Sequence, residues 1–188
     1  RKAGYPAQRG TFGHKAIELG LRGTQEDFDL FLFDRQDRVP AWWIRDMEKI
    51  QVEEVRSKLY ALHDDAISDL YCEATYSYDG GFSSFLGQNI GREKYPKNAD
   101  FVGTTDIGIL SDSSGTVVDF KFGSKGVDAE CLQLRNLAVV IAEFEDLDRV
   151  TVAIAQFDKS AGMTLPEKLP SKKYSKEELA LAKADLDA

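Results

Sequence analysis

GTTDIGILSDSSGTVVDFKFGSK, from Gly103 to Lys125, sets one aspartate in an apolar run, a second in the next run, and a lysine two residues beyond it. Ser111-Asp112-Ser113-Ser114-Gly115 is turn-forming, so the flanking runs read as a β-hairpin of two strands over about 100–110 and 115–122. Side chains alternate across a strand, which puts Asp119 and Lys121 on one face and Val118, Phe120 and Phe122 on the other. The apolar face is the buried one, so the charged face must meet water, a metal or a partner. Antiparallel pairing through so short a loop can bring Asp106 within a few ångström of Asp119. Carboxylates that close raise one another's pKa unless a cation lies between them. A divalent metal resolves the conflict most simply.

Oxygen ligands select hard cations such as Mg²⁺, and an imidazole makes Mn²⁺ acceptable as well. His14 is the candidate imidazole, with Glu18 one helical turn later on the same side. Lys121 beside such a site can orient a water and offset negative charge developing on a phosphorus centre. The ensemble suits phosphodiester hydrolysis. His63, in the run HDD, reads instead as a surface or satisfied core histidine.

Outward from the hairpin, Thr11 is a candidate cap for a first helix through Leu21, and 40–70 shows helical periodicity that predicts one long amphipathic helix. The intervening QEDFDLFLFDRQD is ambiguous between a short helix and a packed loop. Residues 71–78 predict a strand ending at the Asp79-Gly80-Gly81 turn, and 82–99 a long connection with room for a short strand. Asp128 is a candidate cap for a helix to Phe144, and RVTVAIAQF (149–157) alternates as a strand. Beyond Asp158, Gly162, Pro166 and Pro170 break the pattern before Ser175-Lys176-Glu177-Glu178, a capping box, opens a last helix. The expected organisation is a main domain over 1–158 and a C-terminal tail with its helix over 159–188.

These motifs carry a resemblance. VGTTDIGIL and GTVVDFKFG resemble the second and third motifs of the PD-(D/E)XK nuclease superfamily, and GTFGHKAIE resembles the histidine motif of its RecB-like branch. ECLQLRNLAVV is similar to that branch's Gln-x-x-x-Tyr helix. The resemblance runs from Thr11 to Phe157 and sits nearest the phage and CRISPR-associated exonucleases. It implies an α/β (α+β) restriction-endonuclease-like core, a mixed central sheet flanked by helices in the order αβββαβ. It makes His14, Asp106 and Asp119 metal ligands together with the Phe120 carbonyl, for one or two Mg²⁺ or Mn²⁺ ions. Lys121 becomes the catalytic lysine, and Gln133 supports the site or contacts DNA. Thr105 stands where a proline names the superfamily, and Leu137 replaces the tyrosine of the last motif. Two cysteines, Cys72 and Cys131, cannot supply the four thiolates of the iron–sulfur cluster that some relatives carry, so no cluster is expected.

The bulk properties bound the partners. The chain has 188 residues, is 43% hydrophobic and carries a formal charge of -8, so DNA would have to be held by local basic tracks. No stretch approaches the ~18 apolar residues that span a bilayer, and the start RKAGYPAQRG lacks a secretory h-region. Few cysteines, far apart, suit reduced core residues and a cytoplasmic setting in a bacterial or phage-infected cell. Arg1 points to a processed product or a fragment. The expected function is a metal-dependent deoxyribonuclease, an exonuclease by resemblance, acting on linear or single-stranded DNA ends in phage biology, recombination or DNA repair. A protein partner or homo-oligomer would add contacts. The alternatives are a noncatalytic DNA-binding or assembly module of a recombination or packaging complex, and a hydrolase of a different phosphoester.

Overall fold

A computed structural model describes residues 5–123 and 128–188. Lys125, which closes the opening motif, lies outside them. Among the described residues there are six α-helices and a six-stranded, mostly antiparallel sheet, so the protein is of the mixed α+β class. No described helix is long and apolar enough to cross a membrane.

The chain forms two compact units. The first contains four helices, α1 (Tyr5–Arg22), α2 (Gln25–Phe33), α3 (Ala41–Met47) and α4 (Val52–Tyr60), with the end, from Phe120, of the strand Ser114–Phe122 and the segment Ala155–Leu169. α1 starts well before Thr11, the expected cap, because Pro6 is accommodated in the opening turn where an amide hydrogen has no helical acceptor. Its Ala16, Ile17 and Leu21 are buried together. α1 ends at the Arg56 guanidinium, which donates to the carbonyls of Gly20, Leu21 and Gly23 at 3.0, 3.2 and 2.9 Å and so satisfies acceptors that have no helical partner. α2 resolves the ambiguous run as helix through a Thr24–Asp27 capping box.

The long helix expected over 40–70 is absent. α3 ends at Met47 and α4 starts at Val52, with Lys49 and Ile50 in tight turns onto Asp46 and Met47. The break is held by Gln25, whose Oε1 accepts from the Val52 amide at 2.8 Å. The bond satisfies an amide in the first turn of α4 that has no helical acceptor, and the expected helix also stops short at its other end, since α4 finishes at Tyr60 and Asp69 opens a strand.

The second unit holds the sheet. Strands β1 (Asp69–Asp79), β2 (Phe82–Gln88), β3 (Phe101–Leu110), β4 (Ser114–Phe122), β5 (Arg149–Phe157) and β6 (Ser171–Tyr174) lie in the order β2-β1-β3-β4-β5-β6. β4 and β5 begin in this unit and end in the first. The β1–β2 turn uses Gly80 and Gly81 at φ 54° and 90°, values open to glycine at little steric cost. β2 fills part of the connection expected over 82–99, and β6 in the tail pairs with β5 through Val150↔Tyr174 and Ala153↔Ser171. Helix α5 (Leu132–Phe144) follows Cys131; Asp128 does not cap it but accepts from the Glu130 amide at 2.9 Å, a local turn before the helix. Leu137, Ala138, Val140 and Ile141 of α5 pack in one core with Ala74, Tyr76 and Val152 of the sheet. α6 (Lys176–Leu186) starts at the expected Ser175–Glu178 capping box and buries Leu179 and Ala182 in the same core.

Candidate functional site

In the second unit the register of β1 on β3 runs from Cys72↔Ile107 to Ala74↔Thr105, which sets Glu73 opposite Asp106. Glu73 has φ 52°, the left-handed region, in the middle of a strand. For a residue with a side chain this conformation costs on the order of 1–3 kcal/mol and persists only where neighbours impose it. Regular ladder pairs on both sides do so, and the Glu73 carbonyl accepts from the Asn89 amide at 2.9 Å. Carboxylate oxygens of Glu73 and Asp106 come within 4.8 Å of each other. Asp106 is only 9% exposed, so water screens the pair poorly. Next to it, the buried Thr105 hydroxyl donates to the Ile107 carbonyl at 2.6 Å.

β3 pairs with β4 through Leu110↔Gly115, Ile109↔Thr116, Gly108↔Val117 and Ile107↔Val118. Asp119 is the next residue along, so one further step in that register would set it against Asp106, as the hairpin reading expects. Asp119 and Lys121 are half-buried, and Phe120 between them is 1% exposed. Alternation therefore holds in β4: the apolar side chain goes into the core and the charged pair shares the other face.

His14 and Lys121 belong to the first unit, as does Phe120, while Asp106, Asp119 and Gln133 belong to the second. The His14 ring stands edge-on to Phe120 at 6.1 Å between centroids and tilted against Phe122 at 5.5 Å. Gly13 makes this approach possible: a Cβ there would lie 2.5 Å from Cζ of Phe122, whose ring stacks on Phe157 at 5.2 Å. Glu18 is 3% exposed and pairs with Lys15 at 2.6 Å and Arg22 at 3.3 Å, so it holds cations of its own helix. Gln133 is exposed in the first turn of α5, whereas Leu137 is buried against β3, where a Cβ on Gly103 would come 3.0 Å from its Cδ1.

Glu73 escaped the sequence reading. The signal was present in LYCEATY, where a single acid interrupts β-forming residues in the same way as Asp106 and Asp119. The other acidic cluster of this unit has a structural use: Asp65 accepts from Ser114 at 2.6 Å and pairs with Arg149 at 2.5 Å. His63 is 9% exposed, with Nδ1 3.0 Å from the Thr116 hydroxyl, and burial pushes its pKa below the ordinary value against the opposing pull of Asp65 and Asp64. Cys72 and Cys131 are both outside any disulfide.

No family model and no curated protein matches the chain. Among solved structures, one described as "Crystal structure of SSO0001" is similar at 9% identity, over 92% of this chain and 73% of that one, with a TM-score of 0.32. A likeness so distant informs neither fold nor function.

Proposed function

We propose that the protein is a divalent-metal-dependent deoxyribonuclease of the PD-(D/E)XK, RecB-like kind, hydrolysing DNA phosphodiester bonds from an end. The observation that carries this reading is the approach of the Glu73 and Asp106 carboxylates to within 4.8 Å on adjacent strands, with Asp119 and Lys121 on the strand beyond. A cation held between them would offset the repulsion of two carboxylates at a position that water screens poorly. Hard oxygen donors with an imidazole fit Mg²⁺ or Mn²⁺. Glu73, Asp106, Asp119, the Phe120 carbonyl and His14 are the proposed donors. Such an ion, when bound, polarises a phosphate oxygen and lowers the pKa of a coordinated water. Lys121 orients the attacking water and offsets charge growing on the phosphate oxygens, and Gln133 contacts the DNA backbone. Since the whole chain carries a charge of -8, DNA is held by local contacts, and a partner protein or second copy would strengthen them.

The test is incubation of linear, nicked and circular DNA with Mg²⁺, Mn²⁺ or EDTA. Linear DNA is expected to be degraded only with metal, and Lys121→Ala to lower the rate by about a hundredfold or more. Glu73→Gln is expected to raise the metal concentration needed for half-maximal rate by about tenfold. Metal-independent DNA binding with no cleavage would replace this reading with that of a noncatalytic DNA-binding module. Activity confined to small phosphoesters would make the protein a different phosphohydrolase.

A further inference from the structure

We propose that the cavity in the four-helix unit binds one unstacked nucleotide of a single-stranded nucleic acid. This rests on the nuclease reading for the choice of polymer, while the shape and charge of the cavity are independent of it. The cavity is about 530 Å³, within the range of small-ligand sites, and every residue lining it comes from 8–43. Its apolar wall is aromatic: Phe12 lies 5.4 Å from Phe31 and 6.0 Å from Trp43 between ring centroids, and all three are buried. Its charged lining is cationic, with Lys15, Arg35 and Arg38 and no acid, beside the neutral Gln8 and Thr11. In a chain with 32 acidic and 24 basic residues, a lining of three cations and no carboxylate is a local reversal of the overall balance.

The three cations are not equivalent. Lys15 already pairs with Glu18 at 2.6 Å, whereas Arg35 and Arg38 have no carboxylate partner among the described residues. The Arg35 guanidinium lies 4.4 Å over the Phe31 ring, which holds it at the aromatic wall. A ligand that satisfies both features carries a flat π-face and an anion a few bonds apart. A nucleotide does so, its base stacking on the aromatic wall and its phosphate meeting the two arginines. A fatty chain would leave the arginines without a purpose, and a bare phosphate would leave the rings unused.

The experiment measures binding of a fluorescein-labelled decathymidylate in EDTA, where no metal-dependent cleavage can occur, beside an abasic strand of the same length. Arg35→Ala/Arg38→Ala is expected to weaken decathymidylate binding roughly tenfold and, because both arginines meet one phosphate, to reduce the salt slope by about 0.7. The charge-matched control Arg45→Ala/Lys168→Ala, on exposed positions outside the cavity, is expected to change it less than about threefold. Wild-type protein is expected to bind the abasic strand roughly tenfold more weakly. Equal affinity for both strands, equal loss in the two double variants, or stronger competition by an acidic aromatic peptide than by free decathymidylate would each overturn the proposal. Thermal melting of both double variants establishes that they fold. Cleavage by wild type with Mn²⁺ is scored separately, so loss of the nuclease reading leaves EDTA-measured binding standing, and loss of the cavity leaves cleavage standing.

Discussion

At single residues, the informative positions are those where local preference is overridden. Gly13 is one, because its missing Cβ lets α1 come down on Phe122. Gly13→Ala would gain about 1 kcal/mol in helix propensity but cost about 1–3 kcal/mol in overpacking, since Phe122 is held between His14 and Phe157 and cannot simply swing away. A net loss of about 1 kcal/mol is expected in urea unfolding. The sign should reverse on a Phe122→Leu background, where the ring is gone and only the propensity gain remains; a loss on both backgrounds would refute the close-approach account. Glu73 is the other such position. Asp106, Asp119, Lys121 and His14 stand out as candidates in the sequence because each is chemically odd in its stretch, but the approach of Glu73 to Asp106 depends on the pairing of β1 with β3 and on φ 52°, neither of which is written locally.

At the level of elements, the capping box before α6 was read correctly because it is short-range chemistry: Ser175 accepts from the Glu178 amide and Glu178 from the Ser175 amide. The 40–70 reading failed because the chain leaves the helix after Met47, restarts it at Val52 under a cap from Gln25, 27 residues away, and enters β1 at Asp69, none of which local periodicity records. β6 escaped for a related reason, since SKKY shows little alternation and becomes a strand only by pairing with β5. α6 is short, and it buries Leu179 and Ala182 on α5, so its cap contributes to stability beyond the helix itself. Ser175→Ala is expected to cost about 1 kcal/mol, read as a lower urea midpoint, and Ser175→Asp, which can also accept from the Glu178 amide, to recover most of it. Equal loss in both variants would mean that the serine acts through something other than the cap.

For the whole molecule, stability against pH integrates the groups whose pKa values folding displaces. His63 is held below its ordinary value of 6.5 by burial, so the unfolded chain takes up a proton there more readily than the folded one. Its contribution is fully present above pH 6.5 and is lost as pH falls from there through the folded value. The exposed carboxylates of the second unit titrate later. Asp64 beside Lys173, Asp148 beside Lys176 and Asp187 beside Tyr78 and Lys183 are each held below the ordinary value of 3.8, chiefly by side-chain hydrogen bonds. Their contributions are present above that value and disappear only as pH falls through it. Two successive declines of Tm are therefore expected on acidification, one starting near pH 6.5 and another near pH 4. In His63→Gln, whose amide keeps a hydrogen-bonding partner for Thr116 without titrating, the first decline should vanish and the second remain. Circular-dichroism melts of the two proteins between pH 3 and pH 8 decide it: an unchanged first decline in the variant would remove His63 as its source and leave the buried imidazole without a role in acid sensitivity.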